Sequence, residues 1–356
     1  LSEKSKIYTV IKIDEGNNLG AAKIRLRSLK AAMKEREQNN ISVKNIKKRK
    51  IHYVKNTRLN MNHTLLAPQM SPIHFQFLQE AFNSCGWNVE ILQDTNRDVI
   101  EEGLKYVHND ACYPAIIVIG QIISALKSGK YDLNNTSVAI TQTGGGCRAT
   151  NYIGFLRKAL YEAGFKDIPV ISLSANGIED NGVKELISVG LIHRAIMSLI
   201  YGDLLMKVLY RVRPYEAVEG SANQLYNKWV NICKKSLIKA RFGEFNKNIK
   251  NIIKDFDKLE ILDIEKPRVG LVGEIDVIES EGAEAVMPEL INFFTAWSVN
   301  TIFKSDNLEG SKKSKLSAKL FILVANFYQR TYVKELNNSK RFSAPIDIRK
   351  LAKKTE

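Results

Sequence analysis

Residues 137–148 read SVAITQTGGGCR. Ser137 to Thr141 is an apolar, β-branched run of strand length, and it gives way to three consecutive glycines, Cys147 and Arg148. A helical pattern then continues to Ala163. A strand that turns through glycine into a helix is the first half of a βαβ unit, and the sequence on either side repeats the pattern. Upstream, His63–Pro68 (HTLLAP) predicts a short strand. Ser71-Pro72 opens a helix, with serine at the cap and proline at the first helical position. That helix runs to Ser84, stops near Gly86, and is followed by a strand at Asn88–Leu92. Helices at Arg97–Val107 and from about Pro114 to Lys127 follow, separated by Asn109-Asp110-Ala111-Cys112-Tyr113-Pro114. Pro169–Leu173 (PVISL) supplies another strand. Strands alternating with helices of about 10–15 residues specify an α/β fold, a Rossmann-like, doubly wound parallel sheet.

Working outward, Ile7–Ile13 (IYTVIKI) alternates as a strand, Gly20–Glu37 reads as a helix, and Asn39–Arg58 as a basic linker. From Gly182 to about Leu262 the β signal disappears. Leu186, Val189, Leu191, Ile192, Ala195, Ile196, Leu199 and Ile200 fall on one helical face, and Ala222–Lys258 reads as a second helical stretch. Arg268–Ile275 (RVGLVGEI) then reads as a buried strand, Ala285–Met287 as a short one, and Pro288 to about Trp297 as a helix. The strand runs without turn residues into the helical Asp276-Val277-Ile278-Glu279, which predicts a missing loop between Ile275 and Asp276. The expected organisation is an N-terminal strand, helix and basic linker (1–62), a Rossmann-like lobe with Cys112 and Cys147 (63–181), a helical subdomain (182–266), and the start of a second α/β lobe (267–356).

The chain has 356 residues, 44% apolar and 26% charged, as expected of a globular protein with a sizeable core. Its four cysteines are well separated and form no Cys-x-x-Cys pair, which excludes a small disulfide scaffold and a zinc ribbon. The most apolar stretch, Gly182–Tyr215, is interrupted by His193, Arg194, Asp203 and Lys207, so no membrane span is expected. Leu1-Ser2-Glu3-Lys4 has no apolar signal core, and the expected location is cytoplasmic. Of the net charge of +15, a net +11 lies between Lys23 and Arg58, where thirteen Lys or Arg face only Glu35 and Glu37. Such a block reads as a solvated helix and linker, as a docking face for an acidic partner, or as a nucleic-acid binder. Tyr53 is its lone aromatic, too little for base stacking, which sets nucleic acid last.

Chemistry concentrates at Cys112 and Cys147. Each stands where a helix begins, and Cys147 follows a strand and Gly144, Gly145 and Gly146. In open α/β sheets ligands bind at that edge. Free N–H groups and the helix dipole favour thiolate, while glycines let the backbone approach an anion or sulfide. This pattern suits iron–sulfur ligation. It equally describes small buried cysteines and a glycine turn cradling a phosphate. Cys85 closes one helix and Cys233 lies inside another, both structural positions. The five histidines show no ligand spacing, and no nucleotide-binding or nucleophile-elbow glycine motif occurs at the strand–helix junctions.

IDEGNNLGAAKIRLRSLKAA, LAPQMSPIHF, GLKYVHNDACYPAIIVIGQIISALKSGKYD and ITQTGGGCRATNYIGFLRKAL together resemble the dehydratase-like part of the activase-related proteins of the 2-hydroxyacyl-CoA dehydratase group, allied to the double-cubane-cluster reductases. IYGDLL, RPYE, KPRVGLVGEI and EGAEAVMPELINFF extend the likeness over nearly the whole chain. The resemblance implies Rossmann-like lobes that hold an iron–sulfur cluster, 4Fe-4S or double cubane. It implies an actin-like ATPase activase, often fused upstream, that drives low-potential electrons into that cluster. Relatives eliminate water from 2-hydroxyacyl-CoA thioesters or reduce small substrates, so acyl-CoA is a candidate substrate and a homodimer a candidate assembly. By the same resemblance Cys112 and Cys147 inherit the role of metal ligands, with Gly144, Gly145, Gly146 and Arg148 beside them at the cofactor. A further cluster cysteine and a loop after Val-Gly-Glu-Ile, both expected in the family, are absent here, so the chain reads as a fragment of a longer protein.

Overall fold

The computed structural model describes Thr9 and residues 19–39, 62–108, 111–142, 147–174, 188–270, 275–308 and 310–348. Contacts divide the chain into two units, Leu1–Tyr53 and Val54–Glu356. In the first, α1 (Leu19–Gln38) covers the expected helix. None of its described side chains is buried, and Ile24, Leu26 and Met33 are exposed alongside Lys23, Arg25, Arg27, Lys30 and Lys34. The strand expected at 7–13 and nearly all of the basic linker lie outside the described residues.

The second unit opens with β1 (Thr64–Pro68), α2 (Pro72–Asn83), β2 (Asn88–Leu92), α3 (Arg97–Leu104), α4 (Tyr113–Lys127), β3 (Thr136–Gln142), α5 (Tyr152–Glu162) and β4 (Val170–Ser174). The four strands form one parallel sheet in the order β2-β1-β3-β4, with Leu65 opposite Val89 and Ser137, and Val138 opposite Val170. Successive side chains of a strand point to opposite faces, and both faces are covered here. Leu66, Leu92, Val138 and Ile140 pack on one side against Ile116, Ile119 and Ile123 of α4 and Leu156 of α5. Leu65, Val89, Ile91, Ala139 and Ile171 pack on the other against Ala81 and Trp87. The Rossmann-like α/β lobe is thereby present.

Two glycines bring α3 and α4 backbone to backbone. A Cβ at Gly103 would stand 2.1 Å from the Ile116 carbonyl oxygen, and one at Gly120 would stand 2.0 Å from that of Val99.

A helical body follows, made of α6 (Val189–Val212), α7 (Ser221–Lys239) and α8 (Phe242–Asp257). The single helical stretch expected over Ala222–Lys258 is corrected to two helices. The chain breaks at Ala240, which adopts a left-handed φ of +50° and returns its N–H to the Ser236 carbonyl. The break lets Phe245 pack its ring against Tyr201 with centroids 5.0 Å apart. The apolar stretch that charged residues interrupt in the sequence forms one long helix. Val189–Tyr215 is the one helix among the described residues long and apolar enough to cross a membrane by length and composition, at a mean hydropathy of 1.4. Its charged residues are partnered rather than disruptive. Arg194 donates to the carbonyls of Gly190, Leu237 and Ile238, and Lys207 meets Glu289 at 2.6 Å. The helix is the centre of the core, with Met197, Ile200, Leu204, Leu205 and Val208 buried.

Asp203 of α6 and His74 of α2 tie the body to the sheet lobe. His74 Nε2 lies 2.9 Å from Asp203 Oδ1, and both side chains are buried. The carboxylate also accepts the backbone N–H groups of Leu290 (2.6 Å) and Ile291 (3.0 Å). Burial pushes the Asp203 carboxyl up from its ordinary range, and His74 with these two N–H groups pulls against it. Gly202 makes room for the imidazole, since a Cβ there would stand 2.3 Å from His74 Cδ2.

Next come β5 (Arg268–Gly270), α9 (Ile275–Ser280) and β6 (Glu284–Val286), a parallel βαβ unit that begins a second α/β element. Of the buried strand expected over Arg268–Ile275, Arg268–Gly270 form β5 and are exposed, Ile275 opens α9, and residues 271–274 lie outside the described residues. Ile275 and Asp276 both belong to α9, and the residues just before them, 271–274, on which the missing-loop reading turns, lie outside the described residues. What fixes the unit is charge. Buried Glu284 accepts from Arg211 (2.5 Å), Tyr215 (2.9 Å) and Arg268 (3.0 Å). Finally α10 (Leu290–Asn307) and α11 (Lys312–Asn338) pack together, and α11 lays Tyr332 and Leu336 on the core of α6 and α8. The sequence reading extended α10 only to Trp297 and did not foresee α11.

Candidate functional site

The strand order reverses between β1 and β3, because the chain winds outward to β2 and then crosses back to β3 and β4. The crevice for a ligand in such a sheet lies at the carboxyl ends of these two strands. Cys112 and Cys147 both belong to the connections on this edge. Cys112 caps α4, ahead of Tyr113 and Pro114, and is half-buried against the core under α4 and α5. Cys147 caps the short 3-10 turn Arg148–Asn151, and its exposed sulfur accepts the Ala149 N–H at 3.5 Å.

Tyr152, at the first turn of α5, connects the two. Its ring is buried and its hydroxyl donates to Cys112 Sγ at 3.1 Å. Burial, the hydrogen bond and charge of Cys112, and the charge of Cys147 push the phenol pKa well up, while Arg148 pulls it down. Tyr152 stays protonated across the physiological range and remains a donor to sulfur.

Cys85 instead packs half-buried beside the core of Ala81 and Trp87. Cys233 is sealed in the helical core, where burial raises its thiol pKa. All four thiols are free. Gly144, Gly145 and Gly146 lie outside the described residues. Among the described residues no group of three or more His, Cys, Asp or Glu could hold a metal ion. A cubane is held by four cysteine thiolates, more donors than the described residues gather here, and the Tyr152 hydroxyl is a hydrogen-bond donor to Cys112 Sγ. The sequence reading missed Tyr152. Its signal is faint, a tyrosine five places after Cys147 on the apolar face of a helix.

Fold and strand order define a Rossmann-like α/β protein built on a parallel sheet. Residues 70–133, from the end of β1 through Cys112 to the turn before β3, match the model of the CoA enzyme activase uncharacterised domain (DUF2229). The chain thus carries a CoA enzyme activase-related domain over less than a fifth of its length. No curated protein and no solved structure matches the chain significantly.

Proposed function

We propose that this chain is the iron–sulfur electron-transfer component of an ATP-driven reductase or 2-hydroxyacyl-CoA dehydratase system, with an activase ATPase as its electron-delivering partner. The observation that carries this reading is the Tyr152 hydroxyl bonded to Cys112 Sγ at 3.1 Å, from the start of the helix that follows Cys147 and its 3-10 turn. The activase-related domain, which contains Cys112, points to the same class of system. Cys112 and Cys147 would hold the cluster as thiolates, and Arg148 would offset their charge. A bound cluster supplies one-electron chemistry at low potential. The Tyr152 hydroxyl would donate to a ligating sulfur and so tune that potential. The buried faces of α4 and α5 would exclude water from the Cys112 side.

Anaerobic expression followed by iron and acid-labile sulfide analysis tests the reading. The wild-type protein should retain both, and Cys112→Ser or Cys147→Ser should lose them without a change in far-UV circular dichroism. Equal iron in the double variant would refute the assignment. A second reading, a docking lobe without its own cluster, is favoured by the two-thiol donor set and predicts no sulfide in any variant.

A further inference from the structure

Ser71 follows β1 at the same carboxyl edge, on the other side of the sheet from α4, and is the N-cap of α2. A serine there ordinarily turns its hydroxyl onto the first-turn N–H groups. Ser71 makes no such bond. Its Oγ lies 2.9 Å from His74 Nδ1, and its own N–H is taken by Gln69 Oε1 at 3.1 Å. His74 therefore does not close a capping box, in which the third helical side chain would accept that N–H. The other ring nitrogen, Nε2, faces Asp203. Both Asp203 oxygens already accept backbone N–H groups, so the carboxylate acts as an acceptor and Nε2 must donate. In the neutral ring Nδ1 then holds the lone pair, and the Ser71 hydroxyl is placed to donate to it. Accessibility is graded along the chain of groups. Ser71 is half-buried between exposed Met70 and Pro72, His74 is 2% exposed and Asp203 is 0% exposed.

We propose that Ser71 is an activated nucleophile for acyl transfer from esters or thioesters, with His74 as its base and Asp203 as the residue that positions His74. A hydroxyl bonded to a neutral imidazole whose second nitrogen is held by a buried carboxylate is the arrangement such chemistry requires. Ser71 Oγ attacks the acyl carbon and its proton passes to His74 Nδ1. As the bond to the leaving group breaks, the imidazolium returns that proton to the departing thiolate or alkoxide. Water then attacks the seryl ester with the same base, releasing a carboxylic acid and restoring Ser71. The developing oxyanion faces the N–H groups of Ile73 and His74, which the Ser71 side chain leaves uncapped. None of this depends on Cys112 or Cys147, so it stands or falls apart from the electron-transfer reading.

The test is labelling of the purified, natively folded chain with an alkyl fluorophosphonate, mapped by peptide mass spectrometry. Ser71 should take the label, and heat denaturation or Ser71→Ala should abolish it. His74→Gln or Asp203→Asn should slow it by roughly a hundredfold. Hydrolysis of p-nitrophenyl acetate should be lost in Ser71→Ala. An unlabelled Ser71 in the native wild type overturns the proposal, a result that needs no variant to fold. Undiminished labelling of a folded His74→Gln variant overturns it as well.

Discussion

Gly202→Ala sets two physical effects of opposite sign against each other. Gly202 lies inside α6, where alanine is intrinsically about 1 kcal/mol better than glycine. On propensity alone the substitution stabilises. The structure predicts the reverse, because the added methyl would stand 2.3, 2.7 and 2.9 Å from Cδ2, Cγ and Nε2 of His74. Relaxed carbon contacts lie near ~3.5–4.0 Å, so the ring must retreat by roughly 1 Å. It cannot do so freely, being held at 2.9 Å by Ser71 on one nitrogen and at 2.9 Å by Asp203 on the other. Overpacking a core costs about 1–3 kcal/mol, and loosening a buried hydrogen bond to a charged group about 1.5–3 kcal/mol. Net of the propensity gain, the variant should lose roughly 2–5 kcal/mol. Urea unfolding followed by circular dichroism reads this as a lower midpoint at an unchanged slope. A midpoint equal to or above that of wild type would show that the imidazole is not confined, and the argument for the buried relay would fail with it.

The complementary glycine is Gly154, exposed within α5 with nothing near the position of a Cβ. Gly154→Ala should therefore raise the urea midpoint, by about 0.5–1 kcal/mol, and a loss would contradict the helix assignment. Acid provides a separate handle at Glu102, which bonds Lys105 and Lys127 at 2.6 Å each. Burial alone would raise its pKa, but the two lysine hydrogen bonds and charges outweigh it and hold the carboxyl below its ordinary 4.5. A depressed folded pKa gives stability that is present above the unfolded value and lost as pH falls through the folded one. Glu102→Gln should flatten the fall in urea midpoint below about pH 4.5, and an unchanged acid limb would count against the pair. Both lysines are largely exposed, so added salt should shrink the effect.

The sheet lobe was legible because its signals are local. Asn88–Leu92 forms a strand over the residues its alternation predicts, and Ser71-Pro72 starts a helix where cap chemistry places it. Other features had no local signal. Ala240 carries no breaker signal of its own and Gly243 falls inside the next helix, so the break is fixed by packing such as that of Phe245 against Tyr201. The apolarity of RVGLVGEI identifies a strand but not its burial, and its described residues Arg268, Val269 and Gly270 are exposed. Helix α11 carries a core face at Ala318, Ile322, Ala325, Gln329, Tyr332 and Leu336, a helical spacing that can be found in the sequence once sought. At the site, Cys112 and Cys147 stood out by residue type and neighbours, whereas Tyr152 is one tyrosine among thirteen. His74 and Asp203 are 129 positions apart, a distance across which periodicity is silent.

The contact at Gly103 and Gly120 bears on how sharply Cys112 is positioned. With no Cβ on either residue, the glycine Cα hydrogens face the carbonyl oxygens of Ile116 and Val99 directly. Most helix contacts must freeze side-chain torsions on both partners, and each frozen rotor costs entropy. This one freezes none at its two closest points. The seating of α4 on α3 is therefore set by main-chain atoms, with no rotamers to choose among. The thiol at the head of α4 inherits that definition, and a single methyl at either glycine would displace it.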